Sequence, residues 1–353
     1  MRLWQSLLAN HVIPSIFDAA ATLLLVILIF RVFKIKNPAT RFMALLLPLI
    51  KPFIIFLDSS STMAEQADLM NTLHMPFLIA LRLPDPLNFL TPAREEIASF
   101  TYEGSMVIIA TAILIITIIA VLIRRWIQLY RFLSSFKREE PLSKVDYPQL
   151  YKILDRLVAK YNINHPKIVD TNETNIAPFS IGRKKPVIVL SKQLINSLSE
   201  RQLEIILAHE LAHIKRNDTL FAWIMVILRD ILFFNPPTHS AFIMAEEEKE
   251  KACDRLALEK TGFSPHDLAS TLIDVAIIHQ NRTLQKQPCP SIARGFVFNR
   301  STIERRVGSI LEPLYLRKSS MAGTILKAFL FILVLYLQVG FIFRVKGMLL
   351  FLR

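Results

Sequence analysis

Four long apolar runs and one intervening stretch of mixed polarity organise this chain. Pro14 to Phe33 (PSIFDAAATLLLVILIFRVF) and Ser105 to Ile123 (SMVIIATAILIITIIAVLI) each have the length needed to cross roughly 30 Å of hydrocarbon. Gly323 to Phe343 (GTILKAFLFILVLYLQVGFIF) carries only Lys327, close enough to one end to snorkel. Phe42 to Leu57 (FMALLLPLIKPFIIFL) is shorter and holds two prolines around Lys51; it is read as a kinked span, with a re-entrant segment as the alternative. Basic residues and no small-residue cleavage site follow the first run, which predicts an uncleaved anchor.

Between the third and fourth runs the pattern becomes that of a folded domain. Leu150, Ile153, Leu154, Leu157, Val158 and Tyr161 recur at helical spacing and predict an amphipathic helix over 147–161. Lys167–Asp170, Ile176–Ile181 and Val187–Leu190 are short β-branched runs, the last two separated by a Gly-containing turn that predicts a hairpin. Ser199-Glu-Arg-Gln202 is a capping box opening a helix expected to run through Asp218. A further helix is predicted from Thr238 to Thr261, ending at Gly262. Thr219 to Phe234 is apolar enough to lie against the membrane, but Arg229 and Asp230 favour a buried amphipathic helix over a fifth span. Asn281 to Ser301, with two prolines, is expected to be a flexible loop near the site.

Composition sharpens the picture only through its distribution. At 52% the apolar content of the 353 residues is close to that of a soluble domain, so the clustering into runs is what implies a membrane. The net charge of +13 flanks those runs and forms no single patch, which points to membrane topology and not to direct nucleic-acid binding. Arg31, Lys34, Lys36 and Arg41 lie between the first two runs, and Arg124, Arg125, Arg131, Lys137 and Arg138 follow the third. Asp58 to Gly104 holds seven acids against Arg82 and Arg94. The N-terminus is therefore expected outside, the 58–104 loop outside, and 137–321 inside. Arg344, Lys346 and Arg353 would also favour the inside, in conflict with that order, and the larger loops are given more weight. Two cysteines argue against a disulfide framework.

The candidate chemistry sits in the helix opened by the capping box. His209-Glu-Leu-Ala-His213 places two imidazoles four residues apart, about 40° around the axis, on one helical face. Two nitrogens so spaced can share one tetrahedral zinc ion, and Glu210 beside them can reach a water at its fourth position. A surface helix carrying two histidines by chance is the plainer alternative. The helix over 238–261 supplies a third ligand: Glu250 would complete a His-His-Glu set, with Glu246 one turn earlier as its rival. Asp254, one turn beyond Glu250, is suited to accept a hydrogen bond from a ligand imidazole and fix its tautomer.

His209-Glu-Leu-Ala-His-Ile-Lys-Arg-Asn-Asp218, Phe233-Phe-Asn-Pro236 and Glu250-Lys-Ala-Cys-Asp254 together resemble the BlaR/MecR family of integral-membrane gluzincins. Pro178-Phe-Ser-Ile-Gly182 to Pro186-Val-Ile-Val-Leu190 and the four-span layout are similar as well. The resemblance implies an α-helical membrane protein with an α+β zinc-peptidase domain inserted between spans three and four. The boundaries are a membrane region over 1–125 (spans about 14–33, 42–57 and 105–123), a cytoplasmic peptidase domain over 126–320, a fourth span over 321–343 and a tail over 344–353. It implies one zinc ion held by His209, His213 and Glu250, with Glu210 as general base and Asp254 behind the ligands. Arg306 matches a recurrent Arg-aliphatic position and is the candidate oxyanion donor, with His239 as runner-up and a helix-surface ion pair as the plainer role for Arg306. Receptor members continue past the fourth span into a penicillin-binding sensor; this chain stops at Arg353, so the protease half alone is expected. Cys253 and the Phe-Asn-Pro turn favour this family over the related HtpX and CAAX-protease gluzincins.

The expected function is endopeptidase cleavage of cytoplasmic protein substrates at the bacterial inner membrane, in regulatory signalling through a repressor or antirepressor. The substrate is expected to pair with an edge strand of the hairpin. Quality control of membrane proteins is the first alternative and a non-catalytic metal scaffold the second, which the intact Glu210 disfavours. A stimulus would arrive through the membrane helices, the 58–104 loop or a separate sensor partner, and a homo-oligomer is the other assembly expected. Reporter fusions test the topology: a reporter at Glu65 should be found outside and one at Asp146 inside, and the reverse result at Asp146 would remove the cytoplasmic assignment.

Overall fold

The computed structural model describes residues 12–57, 103–171, 177–182, 184–283 and 300–312. The fourth apolar run, the 58–102 stretch and most of the predicted loop over 281–301 lie outside these residues. The first run forms α1 (Ile13–Val32), and the third forms the start of a 36-residue helix, α4 (Glu103–Arg138). Both are long and apolar enough to cross a membrane. The second run is not one continuous helix: it falls in α2 (Pro38–Leu45) and α3 (Leu47–Leu57), interrupted at Leu46. Pro48 has no amide hydrogen to give the Ala44 carbonyl, which favours the interruption at Leu46, whereas Pro52 lies within α3.

The mixed-polarity region folds as its periodicity implies. It begins with α5 (Pro148–Tyr161), β1 (Lys167–Val169), β2 (Phe179–Ile181), β3 (Val187–Val189) and the short α6 (Lys192–Ser197). The hairpin is present as β2 antiparallel to β3, with Phe179 opposite Val189 and Ile181 opposite Val187. Gly182 turns it with φ of +82°, where a Cβ would stand 3.2 Å from the Lys185 carbonyl oxygen. β1 joins on the far side, parallel to β3, so the order is β1-β3-β2. The outer side of β1 is met by Pro141 and Leu142, which leaves β2 as the edge without a further strand among the described residues.

Helix α7 (Glu200–Arg216) opens with the expected capping box, Ser199 accepting from the Gln202 amide and Gln202 accepting from the Ser199 amide. It does not run through Asp218. Asn217 adopts the left-handed conformation (φ 61°, ψ 36°), ends α7, and starts α8 (Asp218–Ile231) in a new direction. Asn235 then caps α9 (Pro236–Thr261), accepting from the Thr238 amide, and Gly262 in left-handed geometry ends it. Helices α10 (Pro265–Thr283) and α11 (Arg300–Ile310) complete the described chain.

Two apolar cores set the position of α9. Leu150, Leu154 and Leu157 of α5, Ile188 and Leu190 near β3, and Leu207, Ala208 and Leu211 of α7 form the first, with Cys253 and Ala257 of α9 reaching into it. Val26 and Phe30 of α1, Phe42 and Leu45 of α2, Met225 and Leu228 of α8, and Ala241 and Ala245 of α9 form the second. The N-terminal half of α9 is thus packed on the apolar helices and its C-terminal half on α7. Polar contacts reinforce this: the buried Asn235 amide donates to the Ser15 carbonyl of α1 (3.0 Å), and Arg41 of α2 pairs with Glu248 of α9 (3.0 Å). Lys51 of α3 pairs with Asp18 of α1, an apposition that satisfies both charges within apolar surroundings.

The Asn217 break yields a specific expectation. A β-branched residue is disfavoured in left-handed backbone by about 1–2 kcal/mol, whereas glycine adopts it freely. Asn217→Val should therefore lower the unfolding temperature of the detergent-solubilised protein while Asn217→Gly leaves it close to wild type. Equal unfolding temperatures would show that the turn does not constrain the α7–α8 junction.

Candidate metal centre

The register of α7 is fixed by its capping box at one end and Asn217 at the other, and its inner face is Leu203, Leu207, Ala208 and Leu211. His209 and His213 flank that buried face, so both rings turn to the side where α9 crosses. Their Nε2 atoms stand 3.1 Å apart. From α9, Glu250 brings Oε2 to 3.5 Å from His209 Nε2 and Oε1 to 3.7 Å from His213 Nε2. Donors at about 2.0–2.2 Å from one tetrahedral zinc are separated from each other by about 3.3–3.5 Å, so the three side chains fit such an ion closely. Glu210 lines the same groove; its Oε2 is buried and has no hydrogen-bond partner, as expected of a group left for a ligand or substrate.

The outer nitrogens of both imidazoles face carboxylates. Asp254 Oδ1 lies 3.0 Å from His209 Nδ1, where the sequence places a tautomer-fixing acceptor. Asp218 does the same for His213, with Oδ2 at 2.9 Å from Nδ1. Spacing along one helix does not single out Asp218 as a site residue, because it lies beyond the Asn217 turn. Its one signal is the short-range sequence His213-Ile-Lys-Arg-Asn-Asp218, once Asn217 is recognised as a left-handed stop. Its carboxylate also accepts from the Cys253 thiol (3.1 Å) and from Arg216 Nε (3.1 Å).

The charges around Glu250 favour its ionised form. Burial opposes ionisation, but His213, His209, Arg306 and Lys249 hold its carboxyl well below the usual carboxylate range. Asp254 is likewise depressed against its burial, chiefly by Arg306 and then by His209. Burial works against protonation of His209, yet the close carboxylates of Asp254 and Glu250 outweigh it and raise its pKa to about 9. Burial pushes the Cys253 thiol well above its ordinary value, so it remains a neutral donor to Asp218.

The remaining candidates separate clearly in space. Glu246 is engaged by Lys249 at 2.7 Å, and the carboxylate that meets the two histidines is that of Glu250. Arg306 of α11 gives Nε and one terminal nitrogen to Asp254 (2.8 and 2.6 Å), and its other terminal nitrogen stands 3.4 Å from Glu250. His239 sits in the first turn of α9, with Nε2 3.1 Å from the Phe233 carbonyl oxygen. Eleven residues of helix, about 16 Å, separate it from Glu250. The β2 edge lies beside the centre: Ser180 donates to the Glu210 carbonyl oxygen (3.1 Å), and Ala177 to Ile181 line the groove that holds the cluster.

Parts of this chain are similar in sequence to known proteins. The chain is 32% identical over 89 residues to the methicillin resistance mecR1 protein of Staphylococcus aureus, covering 25% of this chain and 15% of that protein. It is 34% identical over 104 residues to a protease HtpX homolog of Syntrophobacter fumaroxidans, 29% of this chain and 37% of the relative. It is 24% identical over 230 residues to regulatory protein BlaR1 of Bacillus licheniformis, 63% of this chain and 37% of the relative. The matched parts thus span well under two thirds of these relatives' own lengths. A sequence model of the BlaR1 peptidase M56 family matches residues 11–310, the stretch that includes α1, both metal-facing helices and α11, and the chain belongs to that family.

Proposed function

We propose that the protein is a zinc-dependent endopeptidase of the bacterial inner membrane, with its catalytic domain on the cytoplasmic side between the third and fourth spans. One observation carries the reading. Two imidazole nitrogens and a carboxylate from different helices converge at the separations one zinc ion requires, beside an unpartnered buried glutamate oxygen. His209, His213 and Glu250 are the ligands. A bound zinc supplies Lewis acidity, which polarises a scissile carbonyl and acidifies water towards a pKa of about 7.

The chain's own groups supply the rest. Glu210 takes a proton from the attacking water, and as the carbon–nitrogen bond breaks it delivers that proton to the leaving amine. Asp254 and Asp218 keep each Nδ1 protonated and each Nε2 free to ligate. Arg306 is committed by its nitrogens to Asp254 and Glu250, so we assign it to positioning these carboxylates in place of an oxyanion contact. The β2 edge, which has no further strand among the described residues, is placed to pair with an extended substrate segment, which selects loops and unfolded regions.

Similarity to proteins named regulatory protein BlaR1 and methicillin resistance mecR1 protein supports a regulatory cleavage, with a repressor or antirepressor as the downstream target. Similarity to HtpX protease homologs supports membrane-protein quality control as the second reading. Comparing the cytosolic and membrane proteomes of cells carrying wild type or Glu210→Gln distinguishes them by the identity of the stabilised proteins.

Elemental analysis tests the ligands. His209→Ala and Glu250→Ala should lose zinc on purification while Glu246→Ala keeps it, and Asp218→Asn and Asp254→Asn should weaken zinc affinity by roughly 10–100-fold. Zinc retained by Glu250→Ala but lost by Glu246→Ala would move the third ligand one turn back. Glu210→Gln should retain the metal and cleave casein slower by about 10²–10⁴-fold. Undiminished cleavage by that variant would end the general-base assignment.

A further inference from the structure

The groove beside the candidate metal centre is larger than three ligands and an ion need, and one of its walls is a helix that begins in an apolar run. Its volume is about 1120 Å³, above the range of about 300–1,000 Å³ usual for small-molecule sites. One wall is β2 with His209, Glu210 and His213. The other is one stripe of α4: Val121, Arg124, Arg125, Gln128, Leu129 and Leu133, spaced as neighbours on a single helical face. That stripe begins inside the apolar run. Val121 is 59% exposed, between Ile119 at 49% and Ile123 at 47%, and no residue over 112–135 is buried against other described residues. The groove therefore extends from the catalytic residues to lipid-facing helix surface, over about 18 Å of helical rise between Val121 and Leu133.

Its walls at that depth suit a polypeptide leaving the bilayer. Trp223, Val226, Phe242 and Ile243 supply an apolar lining opposite α4. Two of the cations nearby share one buried acid: Asp230 pairs with Arg229 (2.8 Å) and Arg125 (3.4 Å) and accepts from Trp126 Nε1 (3.2 Å). These contacts also tie α4 to α8, and Phe136 of α4 packs on Phe179 of β2 with ring centroids 5.4 Å apart. The wall is thus fixed to the edge strand that would take an extended segment.

We propose that the substrate is a membrane-anchored polypeptide, whose juxtamembrane segment enters along α4 from the bilayer and reaches the metal centre in extended form beside β2. This rests on the peptidase reading, takes a membrane-anchored substrate over a soluble repressor, and names the substrate class for the same groove. An 18 Å groove takes about five extended residues, so cuts fall about five to ten residues beyond the end of the substrate's span.

The test uses the full chain in proteoliposomes with a single-span model protein carrying a flexible polar segment on the same side as Asp146. The same segment without its span, and casein, are the untethered comparisons. In a Glu210→Gln background, benzoylphenylalanine at Leu129 and at Val226 should crosslink to the segment next to the span. Wild-type cuts should map to the same residues. Val121→Asp with Val226→Asp should lower the ratio of tethered to casein cleavage by roughly tenfold or more, because the apolar end of the substrate's span then meets unpaired charge as the segment beside it enters the groove. Crosslinks to lipid alone, equal crosslinking of tethered and untethered segments, or an unchanged ratio would overturn the proposal. If zinc-loaded wild type cuts neither segment nor casein, the peptidase reading fails, and the crosslinks still report separately whether the groove admits the segment.

Discussion

The site depends on one buried ion pair, Arg306 with Asp254. Asp254 is fully buried and Arg306 nearly so, and two hydrogen bonds of 2.8 and 2.6 Å join them. Removing one partner of such a pair typically costs about 3–5 kcal/mol, because the other charge is left buried and uncompensated. Here the same carboxylate also stands 3.0 Å from His209 Nδ1, so the cost would be felt at the candidate metal centre and not only in stability. α9 can carry Glu250 and Asp254 into the interior only because α11 closes over them with a fixed cation. Arg305, the adjacent residue, pairs with Glu247 on the same helix, and Arg41 reaches Glu248 from the other side. A helix with this many acids is stable against α7 because cations from two separate segments meet it.

Much of this was legible in the sequence where the determinant is local. The Ser199–Gln202 box, the four-residue spacing of His209 and His213, the shared face of Glu250 and Asp254, and the stop at Gly262 all express rules operating within a few residues, although α7 ends two residues short of Asp218 and α9 starts at Pro236 and not at Thr238. The family resemblance carried by Phe233-Phe-Asn-Pro236 also has a physical content: Asn235 caps α9 and at the same time donates to the first apolar helix.

What the sequence concealed is long-range. Nothing near Lys167–Val169 signals that β1 lies parallel to β3, since a parallel neighbour needs a crossover whose course local pattern does not specify. Arg306 is a basic residue on an otherwise ordinary helix until Asp254, fifty-two residues earlier, is placed beside it. The division of the 42–57 run has its cause in the prolines, but its meaning becomes clear only with α2 packed on α9 and Lys51 paired with Asp18 of α1. The break at Asn217 is concealed for the opposite reason: Arg, Asn and Asp continue a helical pattern acceptably, and only the left-handed backbone at one residue ends it.

That single turn makes the stretch from His209 to Asp218 a unit of fixed length. Asp218 begins α8, where a carboxylate is favoured by the helix dipole, and from there it reaches back to His213. Inserting or deleting one residue within α7 after His213 would rotate the Asn217 turn and Asp218 by about 100° and shift them by about 1.5 Å along the axis, withdrawing the carboxylate from the imidazole. Length changes that keep the Asp218–His213 contact are therefore confined to segments outside this decapeptide, whatever substitutions its outward-facing positions accept.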